Sequence, residues 1–490
     1  MTEQKKPPYG NIAILFMGAF VAIFTQTLLN IALPSIMTDL NIKDASTVQW
    51  LVTGYMLVNG ILIPASAYFI QRYSNRSIFI LAMSIFALGT LFAGLAPTFG
   101  VLLAARMIQA AGAALMMPLL MNVMLAAFPV ERRGAAMGVF GLVMIVAPAI
   151  GPTLSGYIVE HYSWRVLFFI VLPVALIPLA LGIFKLKNLT FQNRELSLDK
   201  MSLVFSSLGF GGILYGFSSA GQNGWDDPIV LGTITVGVVS LVTFILRQLK
   251  LSEPLLEFRI YKHPMFALSS AISIVLSISM FSAMILMPIY VQTIKGISPF
   301  DSGLLMLPGA LVMGFMSPVT GKLFDKYGAK VLAITGMSIV VISTYYFSKL
   351  SLDTTYLEIM FLYTIRMFGI SMVMMPVMTN GLNTLPMKAY PHGTAMNNTF
   401  QQVSGAIGSA LLITVMNTRT TSTAENLAKS GSDPMNIMKN SMMEGITYTF
   451  YVSTFIAVVG LALTFFIKKP NRQVTEEEKE QVYKQKPVEE

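Results

Sequence analysis

The sequence predicts an all-α integral membrane protein of fourteen transmembrane helices, arranged as two six-helix bundles with two helices inserted between them. Three observations predict this class. Of the 490 residues, 54% are hydrophobic and only 12% are charged. Fourteen apolar segments each approach the roughly 20 residues that a helix needs to cross the hydrocarbon core. The second half of the chain also repeats motifs of the first half.

The apolar segments are separated by short polar or charged stretches, as expected of helices joined by loops outside the membrane. With the N-terminus in the cytoplasm, most of the 33 Lys and Arg residues fall in cytoplasmic loops. This positive-inside bias explains the net charge of +9 without a nucleic-acid partner. An even number of segments then places both termini in the cytoplasm. The segments lie at 11–34, 50–70, 78–96, 101–127, 135–159, 166–186, 202–220, 229–249, 266–294, 303–321, 331–349, 356–380, 395–416 and 446–467.

The internal repeat fixes the arrangement of these segments. The fourth segment contains RMIQAAG and MMPLLMN, followed by GAAM, and the twelfth contains RMFGISMVMMPVMTN, followed by GTAM. The matched positions are Arg106 with Arg366, Asn122 with Asn380, and Gly134 with Gly393. All repeat offsets lie between 254 and 260 residues, which is more chain than six helices occupy, so two helices must be inserted. We therefore expect an N-terminal bundle at 1–190, an insert at 191–262, a C-terminal bundle at 263–470 and a disordered tail at 471–490.

The fourth and fifth segments carry the most distinctive motifs. Arg106, Gln109 and Gly112 form an R-x-x-Q-A-x-G pattern in an otherwise apolar run. The fifth segment is unusually rich in glycine and proline, which a helix tolerates in a bilayer because neighbouring helices satisfy its backbone. A bent, closely packed helix of this kind is suited to a hinge between two halves. The motif residues of the fifth segment are Gly141, Pro148, Gly151, Pro152 and Gly156.

These motifs, with Trp164-Arg165 before the sixth segment, resemble those of the major facilitator superfamily. The resemblance covers nearly the whole chain and is strongest to the fourteen-helix drug:proton antiporters of the EmrB/QacA type, above all the Gram-positive lincosamide and multidrug exporters of the LmrB/LmrS kind. It implies a major facilitator fold and a proton-coupled drug exporter working by alternating access. It further implies a monomer in the bacterial cytoplasmic membrane, with amphiphilic small molecules and protons as its partners and no cofactor beyond the proton gradient.

The loop GKLFDKYGAK resembles a cytoplasmic motif of the same superfamily, through Gly321, Asp325, Lys326 and Gly328. Its acid can pair with basic groups across the two bundles in one conformation only. The corresponding site of the first half begins with Gln71-Arg72 and lacks the acid, so we expect an asymmetric gate that relies on Asp325. An ordinary basic loop is the alternative. The residues expected to gate or bend the structure are Gly321, Asp325, Lys326, Arg72, Gly151, Pro152 and Gly156.

Polar and flexible apolar side chains predict a substrate cavity. The first segment resembles the family's D-x-T motif but has Thr25 at the acidic position, and Gln26 and Asn30 share one helix face. Methionines suit an adaptable pocket, although core packing explains each of them equally well. The expected cavity residues are Gln26, Asn30, Trp50, Tyr55, Asn59, Arg106, Gln109, Met117, Asn122, Arg366, Met375 and Asn380.

The two arginines inside apolar segments set the expected charge of the cavity. A guanidinium group at mid-membrane costs roughly 2.5–3.5 kcal/mol, so Arg106 and Arg366 should face a protein interior or a watery cavity. If both face a shared cavity, neutral, zwitterionic or anionic amphiphiles such as lincosamides are preferred to lipophilic cations. Proton coupling is assigned to Glu358 or Glu160, near predicted external helix ends, with simple solvation as the alternative.

Two other functions remain open. The exporter could carry an endogenous metabolite or signalling molecule, or the chain could be a membrane channel or enzyme. The sequence has no cysteine, and its three histidines are far apart in the chain, so it shows no metal-ligand or catalytic motif. We therefore expect no enzymatic activity and no metal site.

Overall fold

The computed structural model describes residues 8–42, 45–128, 132–188, 192, 198–429 and 434–468. Within these ranges the chain is helical without a β-strand, as the predicted fold class requires. The N-terminal bundle consists of α1 (Tyr9–Asp39), α2 (Ala45–Arg72), α3 (Asn75–Gly94), α4 (Phe99–Ala113), α5 (Met116–Ala127), α6 (Arg133–His161) and α7 (Arg165–Lys185). The inserted helices are α8 (Lys200–Asn223) and α9 (Pro228–Gln248). The C-terminal bundle consists of α10 (Pro264–Ile289), α11 (Pro299–Tyr327), α12 (Ala329–Phe347), α13 (Tyr356–Leu382), α14 (Tyr390–Lys429) and α15 (Pro434–Thr464).

In the described part of the chain, thirteen helical segments are long and apolar enough to cross a membrane. The helix α6, at the predicted fifth segment, is 29 residues long. The side chains of residues 142–150, 152 and 153 in this helix lie outside the described ones, and these include Pro148 and Pro152. The count of fourteen transmembrane helices therefore stays a prediction.

Two helices differ from the predicted segments. The predicted fourth segment is broken into α4 and α5 at Ala114 and Leu115. The cause is Pro118, whose ring clashes with the carbonyl group four residues earlier. The helix α14 runs for 40 residues and extends beyond the predicted segment at both ends, so its last polar turns lie outside the apolar run.

The inserted helices pack beside the line where α2 and α14 meet. They contact each other closely, since a Cβ atom on Gly212 would lie 2.8 Å from the Cα atom of Gly237. Towards α2, the rings of Trp50 and Tyr215 lie 5.3 Å apart. Towards α14, the indole of Trp225 donates a 2.6 Å hydrogen bond to Thr414. The insert therefore touches both bundles.

Both described chain ends lie on one face of the molecule, which we call the termini face. It carries the first turn of α1, the last turn of α2, the start of α6, the α11–α12 turn and the start of α14. Gly328 makes that turn with φ +80°, a conformation that glycine adopts without strain. This face is where the two bundles are joined.

Candidate gate and cavity

The backbones of α6 and α11 touch on the termini side of the molecule. A Cβ atom on Gly321 would overlap the carbonyl oxygen of Gly134, and one on Gly138 would lie 2.5 Å from the carbonyl oxygen of Ser317. The hydroxyl of Ser317 donates a 2.8 Å hydrogen bond to the carbonyl oxygen of Gly138. Glycines thus permit a contact between the bundles that any side chain would prevent.

Asp325 joins the bundles at the end of this contact. Its two carboxylate oxygens accept 2.9 Å hydrogen bonds from the backbone N–H groups of Gly134 and Ala135, in the first turn of α6. These N–H groups have no partner within their own helix, and the helix dipole favours an anion there. Asp325 therefore bridges the bundles, and its partners in the described residues include two backbone N–H groups of α6. We call this contact the first latch.

Arg133 adds contacts to the first latch that run from the N-terminal bundle to the C-terminal bundle. The sequence did not identify this residue as part of the gate. Its guanidinium group, on the N-terminal bundle, donates to the hydroxyl of Tyr390 at 2.6 Å and to the amide oxygen of Asn383 at 3.1 Å. It also lies 4.9 Å from the centre of the Tyr390 ring. A cation in the first turn of a helix interacts unfavourably with the helix dipole. The position of Arg133 in the first turn of α6 was therefore a sequence signal that this residue needs partners outside its own helix.

A second latch occupies the repeat-related place on the same face. Gln71, 254 residues before Asp325, lies at the end of α2 with its side-chain nitrogen 2.9 Å from Nε2 of His392. His392, 259 residues after Arg133, lies in the first turn of α14 and is 8% exposed. The backbone N–H of Glu257, in the linker between α9 and α10, donates to Nδ1 of the same ring at 3.3 Å. We call the contact between Gln71 and His392 the second latch.

A continuous hydrophobic cluster surrounds the latches. The cluster that forms the core of the N-terminal bundle also includes buried residues of the C-terminal bundle near the termini face. The remainder of the C-terminal bundle has its own cluster. The bundles are therefore sealed on the termini face, at what we call the gate. The shared residues from α13, α14 and the turn between them are Met375, Leu382, Leu385, Ala389, Tyr390, Ala395 and Met396.

A small cavity lies beside the gate in the C-terminal bundle. Met374, one of its lining residues, packs against both hydrophobic clusters, so the cavity borders the contact between the bundles. None of the side chains that line it is charged. These residues are Ser273, Leu276, Ser277, Met280, Met374, Met378, Asn397 and Gln401. None of them is among the twelve expected cavity residues, although Met374 is the neighbour of the expected Met375.

Arg106 does not line this cavity. It is 1% exposed, donates to the side-chain oxygen of Gln109, and lies 4.3 Å from the centre of the Tyr55 ring. Gln109 in turn donates a 2.7 Å hydrogen bond to Thr90 of α3. The guanidinium group is therefore held among α2, α3 and α4, inside the N-terminal bundle.

Arg366 is held in the same way inside the C-terminal bundle. It is fully buried and donates to the carbonyl oxygen of Ser279 at 2.5 Å, to the Ser279 hydroxyl at 3.0 Å and to Thr344 at 3.1 Å. The expectation that both arginines face one shared cavity is therefore corrected. Each arginine binds acceptors of its own bundle, although Nε of Arg106 and Nη1 of Arg366 have no hydrogen-bond partner in the described part of the structure. The predicted positive charge of the cavity loses its basis.

The other expected cavity residues are scattered. Gln26 and Met117 are half-buried, Asn122 is buried, and the side chain of Asn30 lies outside the described ones. Trp50 faces the inserted helix α8. Asn59 is buried, and its amide oxygen finds no hydrogen-bond partner in the described part of the structure.

Two expected cavity residues of α13 have other contacts. The amide of Asn380 donates a 3.4 Å hydrogen bond to the carbonyl oxygen of Lys468, just beyond α15. Met375 approaches Gly141 of α6, so it packs in the gate. Neither residue lines the cavity.

The two expected proton-coupling acids lie at exposed helix ends. Glu358 forms a capping box, in which its carboxylate accepts a 2.8 Å hydrogen bond from the backbone N–H of Thr355. It precedes Arg366 by two turns, about 12 Å along the axis, too far for direct pairing. Glu160 is exposed in the last turn of α6. Glu358 therefore acts as a helix cap, and the assignment of proton coupling to Glu358 or Glu160 stays a prediction.

The small residues late in α6 pack inside one bundle. A Cβ atom on Gly151 would overlap the hydroxyl of Thr27 of α1, and the hydroxyl of Ser155 donates to the Leu28 carbonyl oxygen at 2.6 Å. Gly156 is half-buried nearby. The glycines of α6 that cross between bundles are therefore the earlier ones, Gly134, Gly138 and Gly141.

The two basic residues expected in the gate stack on neighbouring tyrosines. Lys326 lies 5.1 Å from the centre of the Tyr327 ring, and Arg72 lies 5.9 Å from that of Tyr73. Both residues lie on the termini face, next to the latches.

The Trp164-Arg165 pair ties three elements together on the face opposite the termini. Trp164 donates to the carboxylate of Asp39 at 3.0 Å and Arg165 donates to it at 2.5 Å. Arg165 also donates to the carbonyl oxygen of Ala96 at 3.1 Å. The bonds from Arg165 and Trp164 hold the pKa of Asp39 below its ordinary value. These contacts stay within the N-terminal bundle, and in the described ranges no hydrogen bond joins the two bundles on this face.

Comparisons with known proteins agree with this architecture. A family model described as Major Facilitator Superfamily matches residues 15–409. The chain is 47% identical to the MFS-type transporter YcnB of Bacillus subtilis, over 96% of this chain and 98% of that one. It is 43% identical to the lincomycin resistance protein LmrB of the same organism, over 93% and 95% of the two chains. The solved structure of the human organic anion transporter MFSD10 superposes with a TM-score of 0.64 at 11% identity, over 94% of this chain and all of that one.

Proposed function

The chain belongs to the major facilitator superfamily, and from this membership we propose that it is a drug:proton antiporter that exports amphiphilic antibiotics. Major facilitators carry small molecules across membranes and are not enzymes, and the relatives place this chain among multi-pass membrane transporters. The observation that carries the proposal is the 43% identity to a lincomycin resistance protein over nearly the whole chain.

The distribution of basic residues supports an orientation with both termini in the cytoplasm. Basic side chains are concentrated on the termini face, as the positive-inside rule requires of a cytoplasmic face. The gate is then closed towards the cytoplasm, and the structure represents the outward-facing state of an alternating-access cycle. The basic residues on this face include Arg72, Arg76, Arg133, Lys200, Arg247, Lys262, Lys322, Lys326, Lys330 and Lys388.

The cavity supports neutral and zwitterionic amphiphiles as cargo. Its hydroxyl and amide groups, from Ser273, Ser277, Asn397 and Gln401, can hydrogen-bond a polar substrate, and its thioethers adapt to varied apolar surfaces. It offers no carboxylate to a lipophilic cation. The cavity offers anions no guanidinium group, because Arg106 and Arg366 are enclosed in separate bundles. A lincosamide has the required combination of hydroxyl groups and apolar surface.

The proton gradient supplies enough free energy for this export. One proton moving inward across 100 mV releases about 2.3 kcal/mol. Since about 1.4 kcal/mol corresponds to a tenfold concentration ratio, one proton per drug sustains a gradient of about fiftyfold. We propose that the protein works as a monomer.

The test is export of radiolabelled lincomycin from a drug-sensitive bacterial host that expresses the protein. We expect accumulation to fall severalfold on expression and to recover fully when a protonophore is added. Gln401→Leu should reduce export because it removes a polar group of the cavity, whereas Met438→Leu, an exposed change on α15, should not. Export that persists with a protonophore would contradict antiport, and ethidium export as strong as lincomycin export would contradict the proposed cargo.

A further inference from the structure

His392 is a buried titratable side chain at the closed gate to which the proposed cycle assigns no role. It is 8% exposed and contacts three parts of the molecule. It belongs to α14 of the C-terminal bundle, it faces Gln71 of the N-terminal bundle, and it accepts from Glu257 of the linker that follows the inserted helices. The other two histidines, His161 and His263, are exposed.

The contacts of His392 in the closed gate require a neutral ring. Both ring nitrogens face N–H groups. The side-chain nitrogen of Gln71, which donates a 3.1 Å hydrogen bond to the carbonyl oxygen of Ala67, lies 2.9 Å from Nε2, and the backbone N–H of Glu257 points at Nδ1 from 3.3 Å. A neutral ring has one acceptor nitrogen for these groups, whereas a doubly protonated ring has none and would face N–H groups on both sides. The closed gate therefore binds the neutral ring.

The surrounding charges do not compensate a protonated ring. The nearby acids already have partners, since the carboxylate of Glu257 lies 3.2 Å from the guanidinium group of Arg259 and that of Asp325 is bound by α6. Tyr390, two residues before His392, has its hydroxyl occupied by Arg133. Among the other charged side chains on elements packed around this site, Arg72, Arg133 and Lys388 are cations, which would repel a charged imidazole. Glu253, in the same linker as Glu257, is exposed to solvent.

We propose that His392 is a proton-binding site whose protonation opens the gate towards the termini face. This inference rests on the proposed antiport and names a residue that links protons to the conformational change. Since the closed gate binds only the neutral ring, it is favoured at high pH and loses population as the pH falls through the ordinary histidine range near about 6.5. Opening separates His392 from Gln71 and Glu257 and leaves the ring free to hold a proton.

The absence of cysteine from the sequence permits a direct measurement of gate opening. Two exposed positions on the termini face, Tyr73 just after α2 and Lys330 of α12, can be changed to cysteine and spin-labelled. Pulsed electron paramagnetic resonance on the purified full-length protein then measures the distance between them from pH 8 to pH 5.5. We expect the ratio of open to closed gate to rise by up to about tenfold per pH unit, the limit for one linked proton.

Two variants test His392 directly. His392→Asn keeps an acceptor for the Glu257 N–H but cannot be protonated in this range, so the distance distribution should not change with pH. Gln71→Glu restores the acid that the first latch has, so a protonated His392 should now strengthen the contact, and falling pH should close the gate. The matched controls His161→Asn and His263→Asn should respond like the unmodified protein.

A pH response that persists in His392→Asn would overturn the proposal, and so would an unchanged response in Gln71→Glu. If His392→Asn does not fold, the reversed response of Gln71→Glu decides the matter alone. The distance measurement needs no drug and no gradient. If gate opening depends on His392 but lincomycin export is not sensitive to a protonophore, the antiport function is rejected and the proton site is kept. If export is sensitive to a protonophore but gate opening does not depend on His392, only the proton site is rejected.

Discussion

The first and second latches hold the same gate from repeat-related positions, yet one is charged and the other is neutral. In the first, the carboxylate of Asp325 accepts two N–H bonds from α6 and Arg133 adds two donor contacts. In the second, the amide of Gln71 meets the imidazole of His392 at the start of α14. The two contacts lie on the same face, but their partner groups and their chemistry differ.

We expect the two latches to differ in strength and in their response to pH. A carboxylate with an ordinary pKa near 4 and a guanidinium group keep their charges throughout the physiological range, so the first latch should be strong and independent of pH. A histidine titrates within that range, so the second latch should be weaker and adjustable. Single substitutions in each latch test this difference.

The largest effect is expected from Gly321→Ala, which affects the backbone contact beneath the first latch. The added methyl group would overlap the carbonyl oxygen of Gly134, and overpacking of this kind costs about 1–3 kcal/mol or more. The spin-label distance across the gate should shift almost entirely to the open form. Gly303→Ala is the matched control on the same helix, because no atom lies within 4 Å of its added methyl group. A closed gate in Gly321→Ala would show that the glycine contact is dispensable.

A smaller effect is expected from Asp325→Ala, which removes the acceptor of the first latch. Two charge-assisted hydrogen bonds at a partly exposed site contribute about 2 kcal/mol together, after allowance for solvent screening. The closed population should fall by more than tenfold at every pH, and lincomycin export should fall with it. Asp301→Ala, at the opposite end of α11, serves as the control. A response as small as that of the control would remove Asp325 from the gate.

Arg133→Lys should have a moderate effect. Lysine keeps the charge but cannot reproduce the planar contacts with Tyr390 and Asn383, so we expect a loss of about 1 kcal/mol, or about fivefold in the closed population. The pH dependence should keep its midpoint, because His392 is unchanged. A displaced midpoint would indicate that the two latches are electrostatically coupled.

The smallest effect is expected from Gln71→Leu, which removes one neutral hydrogen bond worth about 0.5–1.5 kcal/mol. The closed gate should lose up to about tenfold in population at high pH and less at low pH, where the second latch is already weakened. The measurement compares the loss of closed-gate population at high pH with the loss at low pH. An equal loss at both pH values would mean that the second latch is not pH-dependent.

Several features of the gate could be read from the sequence. The motif around Gly321 and Asp325 predicted a bridge between bundles, and the missing acid at Gln71 predicted asymmetry. His392 was not recognised, because an isolated histidine in a loop region carries no local signal. Its significance comes from Gln71 and Glu257, which are 321 and 135 residues away in the chain.

The cavity was harder to predict than the gate. Arg106 and Arg366 were expected to line it because a membrane-embedded charge needs polar surroundings, but several helices can provide those surroundings equally well. The rotation of each helix about its own axis decides which of its polar faces meets the cavity. Tyr55, Thr90 and Gln109 surround Arg106 in one bundle, whereas Ser279 and Thr344 surround Arg366 in the other.

An all-helical membrane transporter with a repeated architecture could be predicted from the residues alone. Hydrophobicity and segment length are local properties, and in a bilayer they are nearly sufficient to define a helix, because each helix satisfies its own backbone. The contacts between polar groups, in contrast, depend on how the helices pack. The pairing of Asp325 with α6, the enclosure of each arginine in its own bundle and the position of His392 between three elements depend on packing between distant helices, and small residues rather than charges set that packing.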